Sequence, residues 1–388
     1  MNPFVIAGEI PSEYFCDRQK ETKKITELVV GGANVCIVAQ RRMGKSQLIK
    51  HIFHQECMKK YHLVYVDLLY THNIQELAVA LSQAIFNTIR TRGEKVWTGF
   101  LSVLQNIRPQ LSLDPLTGLP QIALETGRIV QAETDLAKLF AYLEQVDKPC
   151  IVAFDEFQRI TEYPEKDIET LLRSYIQHLS NVHFIYSGSQ RHIISEMFVN
   201  SSRPFYSSTE MMVLQPIPEA VYFDFASHWF EQAGITIEKD ALGKFYQYGQ
   251  GNTAFLQRLC HFAYAKARCG EHIDFHFLLD NVLNLLEDSS EIYRLMLEQL
   301  NTSQRDLLYA IAQEGKVTSI MGGSFIRAHG LQSASSVQSA LKKLLQLDLI
   351  TKCDNAYQLS DNLLRLHLWI LSGGSPAELI IAQTSDKA

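Results

Sequence analysis

Five short runs in this chain are apolar almost throughout, and amphipathic stretches with helical spacing stand between them. The runs are NVCIVA at 34–39, HLVYVDL at 62–68, PCIVAFDEF at 149–157, NVHFIYSGS at 181–189 and EMMVLQP at 210–216. A strand with one face in water alternates apolar and polar residues; a strand apolar on both faces lies inside a sheet covered on both sides. QLIKHIFHQECMKK, NIQELAVALSQAIFNTIRTR and ETDLAKLFAYLEQV supply the covering helices. The expected fold is therefore α/β, a three-layer parallel sheet built from strand–helix units. RPQLSLDPLTGLPQIALET, 108–126, interrupts the alternation and reads as a hairpin-containing insertion turning near Asp114–Gly118. Its prolines confine it to an edge.

The pattern changes twice more. From 216 to about 300 it is helical with no convincing strand, which predicts a separate helical domain. From 301 onward, SQRDLLYAIAQ, SFIRAHG and SASSVQSALKKLLQLDL read as three helices, the last with Val337, Ala340, Leu341, Leu344 and Leu345 on one face. LITKCDNAYQLSD reads as a hairpin turning at Asp354–Asn355. Three helices and a hairpin are the winged-helix order, so the expected domains are 1–215, 216–300 and 301–388. With 388 residues, several cores are expected.

Composition excludes little else. The net charge of −6 is mild, and no apolar run approaches the ~20 residues of a membrane span, so no membrane insertion is expected. Seven scattered cysteines, none in a C-x-x-C pair, point to reduced thiols and a cytoplasmic protein. His54, Glu56 and Cys57 match no zinc spacing.

The chemistry concentrates where apolar runs end. After the first run comes AQRRMGKSQL, in which Gly44, Lys45 and Ser46 open a helix. Backbone N–H groups at a helix start attract phosphate, so Arg41, Arg42, Met43, Gly44, Lys45, Ser46 and Gln47 are candidate nucleotide contacts. Lys45 would reach the β- and γ-phosphates and the Ser46 hydroxyl would join a Mg²⁺ shell. The usual pattern opens with glycine where this chain has Ala39, one methyl larger. The third run ends in Asp155 and Glu156 at the carboxyl edge of the same sheet, where open α/β sheets bind ligands. Asp155 is a candidate Mg²⁺ ligand and Glu156 a candidate base for the attacking water; an acidic pair capping a helix is the alternative. Ser187 and Ser189, after the fourth run, are candidate sensors of the γ-phosphate, or turn and cap residues. Arg41, Arg42, Arg191 and Arg203 are candidate charge stabilisers.

FCDRQKE at 15–21, AQRRMGKSQL, IVAFDEFQRI and FIYSGSQRHII, followed by a winged helix, resemble the archaeal-type P-loop ATPases, relatives of the AAA and STAND ATPases in the additional-strand class. The resemblance spans about 2–369. It implies ATP and Mg²⁺ as ligands, a helical lid, and a five-stranded core with the acidic-pair strand next to the loop strand. It also implies that the segment bearing Asp17 and Arg18 contributes to the nucleotide pocket; read alone, these two are a helix cap and a surface charge. Two departures stand out. Relatives often carry Leu-Tyr-Gly-Arg after the fourth strand, whereas this chain has Pro204–Ser208, leaving Arg203 as the substitute for an arginine finger. GQGNTAFLQRL at 249–259 resembles the family's Gly-Gly-x-Pro segment without its proline.

The expected function is Mg-dependent ATP hydrolysis coupled to rearrangement of lid and winged helix. The alternative is a nucleotide-gated module that hydrolyses little and docks DNA or a protein through the winged helix. A nucleotide-dependent oligomer is a further expectation. Within 301–369, seven Lys or Arg stand against five Asp or Glu, a weak surplus for a DNA reader, with Lys342 and Lys343 on the third helix.

Overall fold

The computed structural model describes residues 1–89, 109–113, 120–124, 129–353 and 355–382. They form two compact units, 9–215 and 216–388, the latter including residues 1–8.

In the first unit the strands, in chain order, are β1 (Val35–Val38), β2 (His62–Asp67), the hairpin pair β3 (Pro109–Leu113) and β4 (Pro120–Leu124), β5 (Cys150–Asp155), β6 (Val182–Gly188) and β7 (Glu210–Val213). Five of them make one sheet in the order β2-β5-β6-β1-β7 with parallel pairing throughout. β3 and β4 pair with each other in antiparallel register, Leu111 opposite Ile122, and the expected turn at 114–118 lies outside the described residues. The helices are α1 (Gln19–Val30), α2 (Lys45–Phe53), α3 (Ile74–Ile89), α4 (Ile129–Gln145), α5 (Ile168–Ile176) and α6 (Arg191–Val199).

Strand periodicity of two sorts the side chains into the two faces. Val35, Ile37, Ile151, Ala153 and Ile185 pack with Ile25 and Val29 of α1 and Leu48, Ile49 and Ile52 of α2. The residues between them, Cys36, Val38, Val152, Phe154, Phe184 and Tyr186, pack with α3, α4, α5 and α6. This is the three-layer sheet expected from the doubly apolar runs.

One expectation is corrected. The acidic-pair strand β5 does not lie next to the loop strand β1, because β6 is inserted between them and pairs with both. Strands buried on both faces carry no sequence mark of their neighbours, so strand order was not readable from the runs. The insertion matters for the site, since it puts the end of β6 between the loop and the acidic pair.

The second unit contains helices α7 (Glu219–Gln232), α8 (Lys239–Gly249), α9 (Thr253–Lys266) and α10 (Phe275–Glu298). Two strands of two residues each, β8 (Thr236–Ile237) and β9 (His272–Ile273), pair in parallel where no strand was expected; two residues are too few to show a period. α11 (Thr302–Glu314), α12 (Gly323–Ala328), α13 (Ala334–Gln346) and the antiparallel pair β10 (Ile350–Cys353) and β11 (Ala356–Leu359) complete the three helices and hairpin, with Asp354 outside the described residues. α14 (Asn362–Leu371) and α15 (Pro376–Ala382) follow. Val337, Ala340, Leu341 and Leu344 form the buried face of α13, while Leu345 is half-buried. Among the described residues no helix is long and apolar enough to cross a membrane.

Residues 1–8, expected with the sheet, pack with the helical unit because Phe4 is fully buried among the rings of Phe225, Phe230 and Tyr264. The Asn2 side chain donates to the His261 carbonyl at 2.9 Å, fixing this segment there. Phe4→Ala should destabilise this unit by about 3–5 kcal/mol, the usual cost of emptying a buried aromatic site. Ile6→Ala, at a half-exposed position, should change stability by less than about 0.5 kcal/mol. Denaturant unfolding of the two variants checks the contrast, and equal losses would contradict the packing described.

Candidate functional site

β1 delivers the loop 39–44 to the sheet edge, and α2 begins at Lys45. Ala39 is buried in the α2-side core and its N–H donates to the Gly188 carbonyl at 3.4 Å, so it continues the pairing with β6 one residue past β1 and its methyl has a place. Gly44 takes φ 84°, a left-handed conformation that costs a residue with a Cβ about 1–2 kcal/mol. Arg42 is also left-handed, with φ 64°, and is exposed. Met43 points into the core, which leaves only its backbone for a ligand.

Lys45 is 5% exposed, and its ammonium donates to the carbonyls of Ala39 at 3.3 Å and Gln40 at 3.1 Å. Burial holds its pKa below the ordinary lysine value, opposed by the charges of Glu156 and Asp155 and reinforced by Arg41. A buried ammonium of this kind gains most from an anion brought close.

Asp155 has the same strand parity as Ile151 and Ala153, so its carboxylate emerges on the face that carries α2. It is 2% exposed, and its oxygens accept from hydroxyls on three elements. Oδ2 accepts from Ser46 of α2 and, at 2.5 Å, from Tyr65 of β2; Oδ1 accepts from Ser187 of β6. The Glu156 N–H donates to Oδ1 at 3.1 Å. Burial first, and then the neighbouring Asp155 charge, push the Tyr65 phenol above its ordinary pKa, keeping it a donor.

Glu156 leaves the strand with φ 55°, breaking the parity and turning toward the residue after β6. Its Oε2 accepts from the Ser189 hydroxyl at 2.6 Å, the Ser189 N–H at 3.3 Å and the Gln158 side-chain amide. Behind the turn Phe157 is buried against Tyr186 and Phe205, at 4.6 and 5.3 Å between ring centres, and anchors it. Each serine proposed as a sensor thus serves one carboxylate: Ser187 serves Asp155 and Ser189 serves Glu156.

The remaining candidates divide. Arg41 Nε approaches Ser189 Oγ at 3.4 Å, which brings it into the cluster. Gln47 accepts the Ile10 N–H at 3.2 Å, and Phe15 stacks on His51 of α2 at 4.0 Å between ring centres, so the segment before α1 lies along the loop helix. Asp17 and Arg18 at the end of that segment are consecutive left-handed residues, φ 55° and 65°. Arg18 is buried, with Nη1 on Glu21 at 2.8 Å and Nη2 finding no partner among the described residues. Arg203 does not join the cluster; its guanidinium pairs with Glu169 of α5. Arg191 opens α6. In the second unit, Gln250 and Gly251, left-handed at φ 51° and 68°, turn the chain from α8 into α9, and Asn252 caps α9 by accepting the Phe255 N–H. The segment without the family's proline is therefore a helix–helix corner.

Two site residues were not singled out from the sequence, Tyr65 and Gln158. Tyr65 sits inside an apolar run and reads as core; its signal was its parity with Asp67 at the strand end. Gln158 had no signal beyond proximity to the acidic pair.

Residues 15–259 match the family of ATPase domains found predominantly in Archaea, and 291–371 match a probable winged helix domain. The chain belongs to this ATPase family. No curated protein matches it. Among solved structures, the chain is similar to a Walker-type ATPase of Pyrococcus abyssi, with a TM-score of 0.62 and 18% identity over 94% of this chain and 99% of that one. The ORC2 protein of Aeropyrum pernix, solved in ADPNP and ADP complexes, gives a TM-score of 0.54 and 14% identity over 99% and 98%. The ORC1 protein of the same organism, in complex with DNA, gives 0.52 and 13% over 92% and 93%. At these identities the fold is what is shared.

Tyr65→Phe removes one of the donors to the buried Asp155 carboxylate and adds no volume. The ATPase domain should lose about 1–3 kcal/mol of stability, as for a hydrogen bond to a charged acceptor. Thermal or denaturant unfolding reads the loss; an unchanged midpoint would show that Asp155 does not depend on this hydroxyl.

Proposed function

We propose that the protein binds Mg·ATP at the edge formed by the loop 39–44, β5 and β6, hydrolyses it, and couples the cycle to rearrangement of the lid and winged helix. The observation that carries this reading is the meeting of Ser46 with Asp155 across the sheet edge, beside the buried Lys45 and with Glu156 adjacent. The donor set fits the ligands. A hydroxyl and a carboxylate are the hard oxygen donors that suit Mg²⁺, which takes one or two protein oxygens and fills the rest with phosphate and water. Ser46 and Asp155 would hold the ion, which when bound offsets the negative charge of the β- and γ-phosphates.

The other roles fall to the chain's own groups. The α2 N-terminus and Lys45 bind the phosphate oxygens, whose negative charge favours the buried ammonium that desolvation disfavours. Glu156 orients a water toward the γ-phosphorus and accepts its proton as the bond to the β–γ bridging oxygen breaks. Arg18, buried with an unpaired Nη2, and the neighbouring Asp17 belong to the pocket wall that the segment 9–18 builds along α2. Glu156→Gln should lower kcat by about 100-fold or more with ATP affinity nearly unchanged, since general-base loss costs 10²–10⁴. Lys45→Ala should weaken ATP binding by about 10- to 100-fold, the worth of a charged hydrogen bond. Phosphate release and equilibrium ATP binding measure the two, and a Glu156→Gln protein with wild-type turnover would remove the base assignment.

A DNA-docking role for the winged helix keeps two observations in its favour. Ser335, Gln338, Ser339, Lys342 and Lys343 are all exposed on α13, and the ORC1 relative was solved with DNA. If these lysines meet phosphate, duplex affinity should fall with salt, with a log–log slope of about −2 for two contacts. Fluorescence anisotropy at several salt concentrations tests it; salt-independent or undetectable binding removes the DNA role.

A further inference from the structure

Glu156 is held by more than a base needs for its own solvation. Its Oε2 takes the Ser189 hydroxyl at 2.6 Å, the Ser189 N–H at 3.3 Å and the Gln158 amide, while Gln158 itself is 1% exposed. Gln158 Nε2 also lies 3.4 Å from Ser189 Oγ. The seat for Gln158 depends on Gly188, because a Cβ there would come within 2.5 Å of Gln158 Oε1 and 3.1 Å of Ile194. On the other side, Arg41 Nε reaches the same Ser189 oxygen at 3.4 Å from the phosphate loop. The Ser189 hydroxyl is therefore a junction: it donates to Glu156 and accepts from Gln158 and Arg41.

We infer that Ser189 and Gln158 are positioning residues that fix the orientation of Glu156, and that Arg41 acts on Glu156 through Ser189. The inference rests on the reading of Glu156 as the base. Several donors on one carboxylate oxygen stabilise the anion and restrain its rotation, which leaves Oε1 as the oxygen able to take a proton from water. Arg41 shares the loop with the residues proposed to bind phosphate, so the junction links the loop to the base by two hydrogen bonds. Ser187 has no part in this, since its hydroxyl is committed to Asp155.

The test is steady-state ATP hydrolysis, with kcat and KM separated, for the full chain and its variants. Ser189→Ala should lower kcat by about 10-fold with KM within about twofold. Ser189→Thr, which keeps the hydroxyl, should restore kcat. Gln158→Leu, close in size, should likewise lower kcat with KM nearly unchanged, so the result does not rest on one variant. In the Ser189→Ala background, Arg41→Ala should lower kcat no further, as expected for residues that act through one another. A Ser189→Ala protein with unchanged kcat, a kcat fall that Ser189→Thr does not restore, or a rise in kcat would each overturn the inference. Glu156→Gln is measured alongside. If it turns over as wild type does, the assignment of the base is overturned and this inference with it; if it is inactive and Ser189→Ala is normal, this inference alone fails.

Discussion

The buried carboxylate of Asp155 is the constraint around which the first unit is arranged. Taking an ionised carboxylate out of water costs several kcal/mol unless hydrogen-bond donors surround it. Here the donors are hydroxyls from α2, β2 and β6 and a backbone N–H, so the group is satisfied only when the loop helix and three strands are in register. Parity sets which side chains can take part. Ala153, Asp155, Ile185 and Ser187 share one face, so the run of core residues that packs on α2 continues directly into the polar cluster at the strand ends. Fold and candidate site are in this sense one construction: the same alternation that builds the core brings the carboxylate under the loop.

The placement of β6 gives that cluster its division of labour. With β6 between β1 and β5, the residues after its last core position face both the loop and the acidic pair. Ser187 ends on Asp155, which bonds Ser46, and Ser189 ends on Glu156 and near Arg41. Had β5 been beside β1, the acidic residues would have met the loop directly and no serine pair could have stood between them.

How much of this was legible in the sequence follows from what each feature depends on. Gly44-Lys45-Ser46 and Asp155-Glu156 stand at the ends of apolar runs, and local pattern is enough to put them at a strand's carboxyl edge. The three helices and hairpin after 301 were legible for the same reason. Strand order was not, because it is decided by which crossovers pack, and the runs are equally apolar. Tyr65 was hidden because an aromatic residue within a run is ordinarily core, and its ring does lie in the partly buried layer beside α2. Gln158 was hidden because its role depends on a left-handed turn at Glu156 and on the missing side chain of Gly188. The assignment of residues 1–8 failed for a related reason: a single anchor, Phe4, decides it, and its partners are more than 200 residues away.

The loop itself separates three residues that the sequence runs together. Ala39 belongs to the core, where a methyl in place of hydrogen fills space instead of blocking a ligand. Arg42 takes the left-handed conformation two residues before Gly44 does, so the loop curls through two such positions and uses glycine only for the second. A left-handed arginine carries a backbone cost that glycine would avoid. Arg41, by contrast, keeps an ordinary backbone and spends its guanidinium on Ser189. The paired arginines are therefore not equivalent: one shapes the loop at the surface, and the other ties the loop to the carboxylate that would do the chemistry.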